Sequence, residues 1–190
     1  MQAIIDACAG GVLDAEVRVV ISNNAESLAL QRAREQRIPA VHLSSRTHPE
    51  PQVLDAEIAR TLQEHGVDLV VLAGYMRKVG PITLARFAGH ILNIHPALLP
   101  RFGGEGMYGR RVHEAVLASG EAVTGVTIHV VDEEYDRGPV VAQREVPVLP
   151  GDTVETLAAR VLEQEHLLYV ETLKRVANGD LDLDALVRLR

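Results

Sequence analysis

Asp68-Leu69-Val70-Val71-Leu72-Ala73, closed by Gly74, is an almost unbroken apolar run. A strand with one wet face alternates polar and apolar residues. One that stays apolar throughout fits a parallel sheet covered by helices on both sides. The flanks agree with that reading. Pro51–His65 before the run has helical periodicity, and Pro81–Ala88 after it reads as a short helix leading into a strand at His90–Ile94. Toward the N-terminus the alternation continues with a helix at Gln2–Cys8, a strand at Glu16–Ile21, a helix at Ala25–Gln36 and a short strand near Ala40–Leu43. Toward the C-terminus, Arg110–Ala118 is helical and stopped by Gly120. Val123–Val131 and Val140–Val146 read as an antiparallel hairpin joined by the acidic turn Asp132–Pro139. A long helix capped by Asp152 or Thr153 then runs to about Val176 and ends at Asn178-Gly179; the residues after Gly179 read as a short strand or a loosely held tail. No repeat, low-complexity stretch or linker interrupts the pattern. The predicted fold is one doubly wound α/β domain over residues 1–190, with a mostly parallel sheet, a C-terminal hairpin and a long helix.

Composition narrows the function. With 190 residues, 47% of them hydrophobic, the chain can bury a sizeable core, and 3% aromatics leave Leu, Val, Ile and Ala to fill it. A net charge of −7 speaks against a nucleic-acid surface, which relies on clustered Lys and Arg. Cys8 is the only cysteine, so neither an intramolecular disulfide nor a cysteine zinc site is expected. No run approaches the ~20 apolar residues of a membrane helix, and no signal peptide is visible. These features predict a soluble, cytoplasmic protein without nucleic-acid or membrane partners, either a monomer or a homodimer.

The chemistry concentrates in Leu92-Asn93-Ile94-His95-Pro96-Ala97-Leu98-Leu99-Pro100. Strand alternation puts Asn93 and His95 on one side, and Pro96 ends the strand because it has no N–H for the ladder. An amide and an imidazole then project from a strand's carboxyl end, where open α/β sheets place their ligands. Together they can polarise a carbonyl and move a proton. The plain alternative is an Asn that caps a turn beside a His that satisfies backbone.

That nonapeptide, followed after some thirty residues by Asp132-Glu133-Glu134-Tyr135-Asp136-Arg137-Gly138-Pro139-Val140, resembles the folate-dependent formyltransferases. Val70–Arg77, Val123–Asp132 and Arg160–His166 support the likeness, which runs from about Gln2 to Val176. The resemblance implies a formyltransferase-type, Rossmann-like fold. It also implies transfer of a formyl group from 10-formyltetrahydrofolate to the amine of glycinamide ribonucleotide in purine biosynthesis, without a metal. In relatives, Asn93 offers its amide to the tetrahedral oxyanion and also contacts the folate. His95 acts as general acid and charge stabiliser, expected here as imidazolium because Asp136 supplies the carboxylate that keeps it protonated. Met76-Arg77-Lys78-Val79 corresponds to the segment that holds the pterin through backbone groups, and Glu165 to a glutamate on the substrate ribose. Each has an ordinary counterpart: a solvated acidic turn for Asp136, a plain loop for Met76–Val79, a solvated helix carboxylate for Glu165. His129, mid-strand in T-I-H-V-V, reads as a structural histidine, and His113 and His166 as ordinary helix residues or supporting ones.

Two departures from the family pattern stand out. In relatives the Q-A-I-I-D-A-C-like helix follows a first strand and a turn of the type S-G-x-G-S-N that binds the substrate phosphate. Here Met1 already lies in helical sequence, so the domain is expected to be N-terminally incomplete; the alternative is a protein that simply begins with a helix. After Pro100, a compact F-P-G-x-H turn is replaced by Arg101–Gly109, whose Gly103, Gly104 and Gly106 suggest a flexible flap or an irregular loop. The family's Leu-Pro bond in L-L-P is commonly cis. Formyltetrahydrofolate hydrolase shares the Asn, His and Asp residues but has H-x-S-F-L-P and a further N-terminal domain. Methionyl-tRNA formyltransferase needs an additional C-terminal domain and a basic face. A non-catalytic folate- or nucleotide-binding remnant is the reading from a different class.

Overall fold

Local chemistry sets most element ends. Pro51 and Pro81 stand in the first turns of helices Pro51–Glu64 and Pro81–Arg86, where a missing N–H costs nothing. Gly120, left-handed at φ 70°, stops Arg110–Ser119. Thr153 and Thr156 form a reciprocal capping box that opens Val154–Ala177, each side chain accepting the other's backbone N–H. In this computed structural model, which describes residues 1–188, the order is α1 Gln2–Ala9, β1 Val20–Ser22, α2 Leu28–Glu35, β2 Ala40–His42, α3 Pro51–Glu64, β3 Val70–Leu72, α4 Pro81–Arg86, β4 Ile91–His95, α5 Arg110–Ser119, β5 Val123–Val130, β6 Val140–Pro147, α6 Val154–Ala177 and α7 Leu183–Arg188.

The α/β alternation is as expected, but the sheet comes in two pieces. β1 and β2 pair in parallel, while β3-β4-β5-β6 form a second sheet. In that second sheet β3 and β4 are parallel, and β4–β5 and β5–β6 antiparallel. Among the described residues, parallel pairing is therefore confined to β1–β2 and β3–β4. A cavity of about 1380 Å³ lies between the pieces, lined by β1, β3, α1 and the C-terminal turns of α6. β1 is shorter than the predicted Glu16–Ile21, because its ladder extends only over Val20, Ile21 and Ser22 opposite Ala40, Val41 and His42. The predicted C-terminal strand or loose tail is instead α7. Asp182 accepts the Ala185 N–H at 3.0 Å, and Leu183 inserts into the main core.

That core is aliphatic, as the composition requires. Leu92, Val126, Ile128 and Val130 from the sheet pack against Val116 of α5 and Leu157, Val161, Leu168 and Tyr169 of α6. The Tyr169 hydroxyl is shared between the carbonyls of Leu92 at 2.9 Å and Leu72 at 3.1 Å. It thereby ties α6 to β3 and β4 just where the candidate residues of β4 begin. Among the described residues no helix is long and apolar enough to cross a membrane.

Candidate active site

Alternation along β4 places Asn93 and His95 on one face, and the strand ends at His95, immediately before Pro96. The antiparallel register sets Asn93 opposite His129 and His95 opposite Thr127, so β5 presents its own polar pair to the same face. A bulge between Ile128 and His129 breaks the β5–β6 ladder there. The extra residue of that shift is Val141 on β6.

Asp136 reaches the cluster from the β5–β6 turn. Its φ of 55° is left-handed, a conformation that Asp tolerates better than most residues. Gly138 lets that turn close: a Cβ there would sit 1.8 Å from the Val130 carbonyl oxygen. The Asp136 carboxylate lies 3.5 Å from His95 Nδ1 through Oδ2 and 3.4 Å from His129 Nε2 through Oδ1. The structure thus brings Asn93, His95 and Asp136 together and adds His129, which sequence reading takes as structural. The available signal was the pair Thr127 and His129 alternating on one strand face, opposite Asn93 and His95.

The glycine-rich loop after Pro100 is tied into the site. His95 Nε2 donates to the Phe102 carbonyl at 2.8 Å, and the Gly104 N–H donates to Asp136 Oδ2 at 2.9 Å. At Gly103 a Cβ would stand 3.2 Å from Asp136 Cβ and 2.4 Å from Leu99 Cδ2, so close approach requires glycine there. The Leu99–Pro100 bond is cis, as the resemblance implies. Behind it, Thr127 Oγ1 donates to the Ala97 carbonyl and accepts from the Leu99 N–H.

Electrostatics departs from expectation at His95. The side chain is 4% exposed, and burial depresses its pKa below the ordinary value of 6.5. Asp136 and the Phe102 carbonyl push upward without overcoming that. The imidazolium expected from sequence is therefore corrected to a neutral imidazole near pH 7. Removing a cation from water costs more here than one carboxylate 3.5 Å away returns. For Asp136 burial is the largest single influence and acts upward, but His95 and the Gly104 N–H, joined by His129 whenever its Nε2 carries a hydrogen, hold the carboxyl below its usual range.

The remaining predicted residues lie apart from this cluster. Met76, Arg77 and Lys78 are exposed on the loop after β3, and half-buried Val79 packs beside Phe87 and Ile91. Arg77, Lys78 and Val79 line the large cavity; the Lys78 ammonium lies over the Tyr135 ring, 5.7 Å from its centroid, which links this loop to the Asp136 turn. Glu165 is half-buried on α6, and burial pushes its pKa up to about 7 against the pull of the Met1 amine. His113 is buried with Nδ1 unpartnered, and His166 is exposed.

An amide donor, a buried imidazole and a carboxylate at the end of a strand define an α/β protein equipped for group transfer at a carbonyl carbon. Residues 1–173 match the formyl transferase family, and the chain belongs to it. It is 47% identical over 175 residues to a chloroplastic phosphoribosylglycinamide formyltransferase of Vigna unguiculata, covering 91% of this chain and 55% of that protein. The chain thus spans about half the length of this plant relative. Glycinamide ribonucleotide transformylase 1 from Symbiobacterium toebii superposes with a TM-score of 0.87 at 44% identity, over 94% of this chain and 82% of that one. A formyltetrahydrofolate deformylase from Pseudomonas syringae superposes with a TM-score of 0.82 at 26% identity, over 94% of this chain and 57% of that one.

Proposed function

We propose that this chain transfers the formyl group of 10-formyltetrahydrofolate to the amine of glycinamide ribonucleotide, a step of purine biosynthesis, in the cytoplasm. The observation that carries the reading is the cluster at the end of β4 in which Asp136 lies 3.5 Å from His95 and 3.4 Å from His129, and Asn93 lies 3.1 Å from His129. The amine attacks the formyl carbon, and Asn93 donates an amide N–H to the resulting oxyanion. Neutral His95 takes the proton that the amine loses and returns it to N10 of the folate as the carbon–nitrogen bond breaks. Asp136 stabilises the imidazolium that exists between those two transfers. The folate ring is read as lying along the backbone of Met76–Val79 and the ribose as reaching Glu165, with no metal in the chemistry.

The deformylase likeness makes hydrolysis the competing reading, and one assay separates the two. Incubation with 10-formyltetrahydrofolate should give formylated glycinamide ribonucleotide when that amine is present and little formate when it is absent. Formate release independent of the amine would defeat the transferase reading. The cavity between β1 and β3 supports the related expectation that a further strand and phosphate-binding turn belong ahead of Met1. Adding the in-frame upstream residues should then raise thermal stability and tighten phosphoribosyl binding more than folate binding. Unchanged stability on adding them would defeat it.

A further inference from the structure

Asn93 can serve an oxyanion only if its nitrogen, rather than its oxygen, faces the right way, and a primary amide can be turned end for end without changing shape. Something must choose between the two orientations. The Asn93 nitrogen lies 3.1 Å from His129 Nε2. His129 Nδ1, on the other side of the ring, lies 3.0 Å from the Val130 carbonyl oxygen. A carbonyl only accepts, so Nδ1 carries the hydrogen. In a neutral imidazole Nε2 is then a bare lone pair, which accepts one N–H of Asn93. If the amide were reversed, its oxygen lone pairs would face the ring lone pair and the bond would vanish. The second Asn93 N–H is left unspent by this contact.

We propose that His129 is a positioning residue, which as the Nδ1–H tautomer holds the Asn93 amide with its nitrogen inward and one N–H free for the oxyanion. The proposal rests on the formyl-transfer reading for its kinetic consequence but not for its geometry. The cross-strand register sets Asn93 directly opposite His129. The ring is 2% exposed, so water does not compete for the lone pair. Asp136 Oδ1 stands 3.4 Å from the same nitrogen, longer than an ordinary N–H to oxygen hydrogen bond.

The test begins with the unaltered protein labelled with ¹⁵N-histidine at neutral pH, with His129→Gln used to assign the resonances. Protonated Nδ1 with bare Nε2 is expected. The Nε2–H tautomer, or a ring protonated on both nitrogens and donating to Asp136, would overturn the proposal. Kinetics supply the second arm. His129→Leu, which removes the acceptor, should lower kcat about tenfold or more with KM for the folate little changed. His129→Gln, whose amide oxygen can accept in place of Nε2, should recover most of the loss. In an Asn93→Ala background the His129→Leu loss should almost disappear, since there is no amide left to orient. An equal loss in both backgrounds would show a structural role and sink the idea. Absence of formyl transfer by the unaltered chain would instead count against the function, while the tautomer measurement would still decide this proposal.

Discussion

Thr127→Val isolates what the loop after β4 owes to one hydroxyl. Thr127 is fully buried on β5, opposite His95. Its Oγ1 donates to the Ala97 carbonyl at 2.6 Å and accepts from the Leu99 N–H at 3.0 Å and from Gln143 Nε2 at 2.9 Å. Valine keeps the β-branched shape and deletes all three bonds. Gln143 retains a bond to the Leu99 carbonyl at 3.0 Å, so its loss is small. The Leu99 N–H and the Ala97 carbonyl are left without that partner in residues that are themselves buried. At about 1–3 kcal/mol for each of these two stranded groups, the expected cost is about 2–6 kcal/mol. Urea unfolding with a slope of about 2 kcal/mol per molar would then show a midpoint lowered by about 1–3 M. Thr127→Ser, which keeps the hydroxyl and loses a methyl, should cost only about 1 kcal/mol. The same loop carries Phe102, whose carbonyl holds His95, so kcat should fall in the valine variant and largely survive in the serine one. A Thr127→Val midpoint equal to that of the unaltered protein would refute the argument that these bonds fix the loop.

Three further outcomes are expected. His95→Ala and Asn93→Ala should each lower kcat by about 10²-fold or more while folate affinity, measured by titration calorimetry, changes little; full turnover with lost affinity would contradict the assigned roles. Asp136→Asn removes the largest influence raising the His95 pKa, so that pKa should fall further; because activity requires the neutral ring and is lost as pH drops through its pKa, the acid limb of the pH–rate profile should move to lower pH. An NMR titration of His95 that is unchanged by this substitution would remove Asp136 from the mechanism. Gly138→Ala should destabilise by about 3 kcal/mol or more, since a Cβ 1.8 Å from the Val130 carbonyl oxygen forces the hairpin turn open; an unaltered melting temperature would show that the turn has slack.

The sequence by itself determined whatever is encoded in short contiguous segments. Hydrophobic periodicity and end signals are local, so α3, the β5–β6 hairpin and α6 with its Thr153 cap were legible to within a few residues. Asn93, His95 and Asp136 stand out as candidates because each sits in a compact, distinctive motif. Tertiary structure alone decided properties that depend on distant partners. β1 contracts to Val20–Ser22 because ladder length is set by what lies opposite, and no local pattern records that. His129 joins the site through the β4–β5 cross-strand register, which places residues 36 positions apart within 3.1 Å. The glycine-rich loop reads as a flap by composition. Only folding brings the Phe102 carbonyl to His95 and the Gly104 N–H to Asp136. The charge of His95 is the clearest case. A carboxylate partner can be guessed from sequence and argues for imidazolium, but desolvation is a property of everything packed around the ring, and at 4% exposure it outweighs the partner.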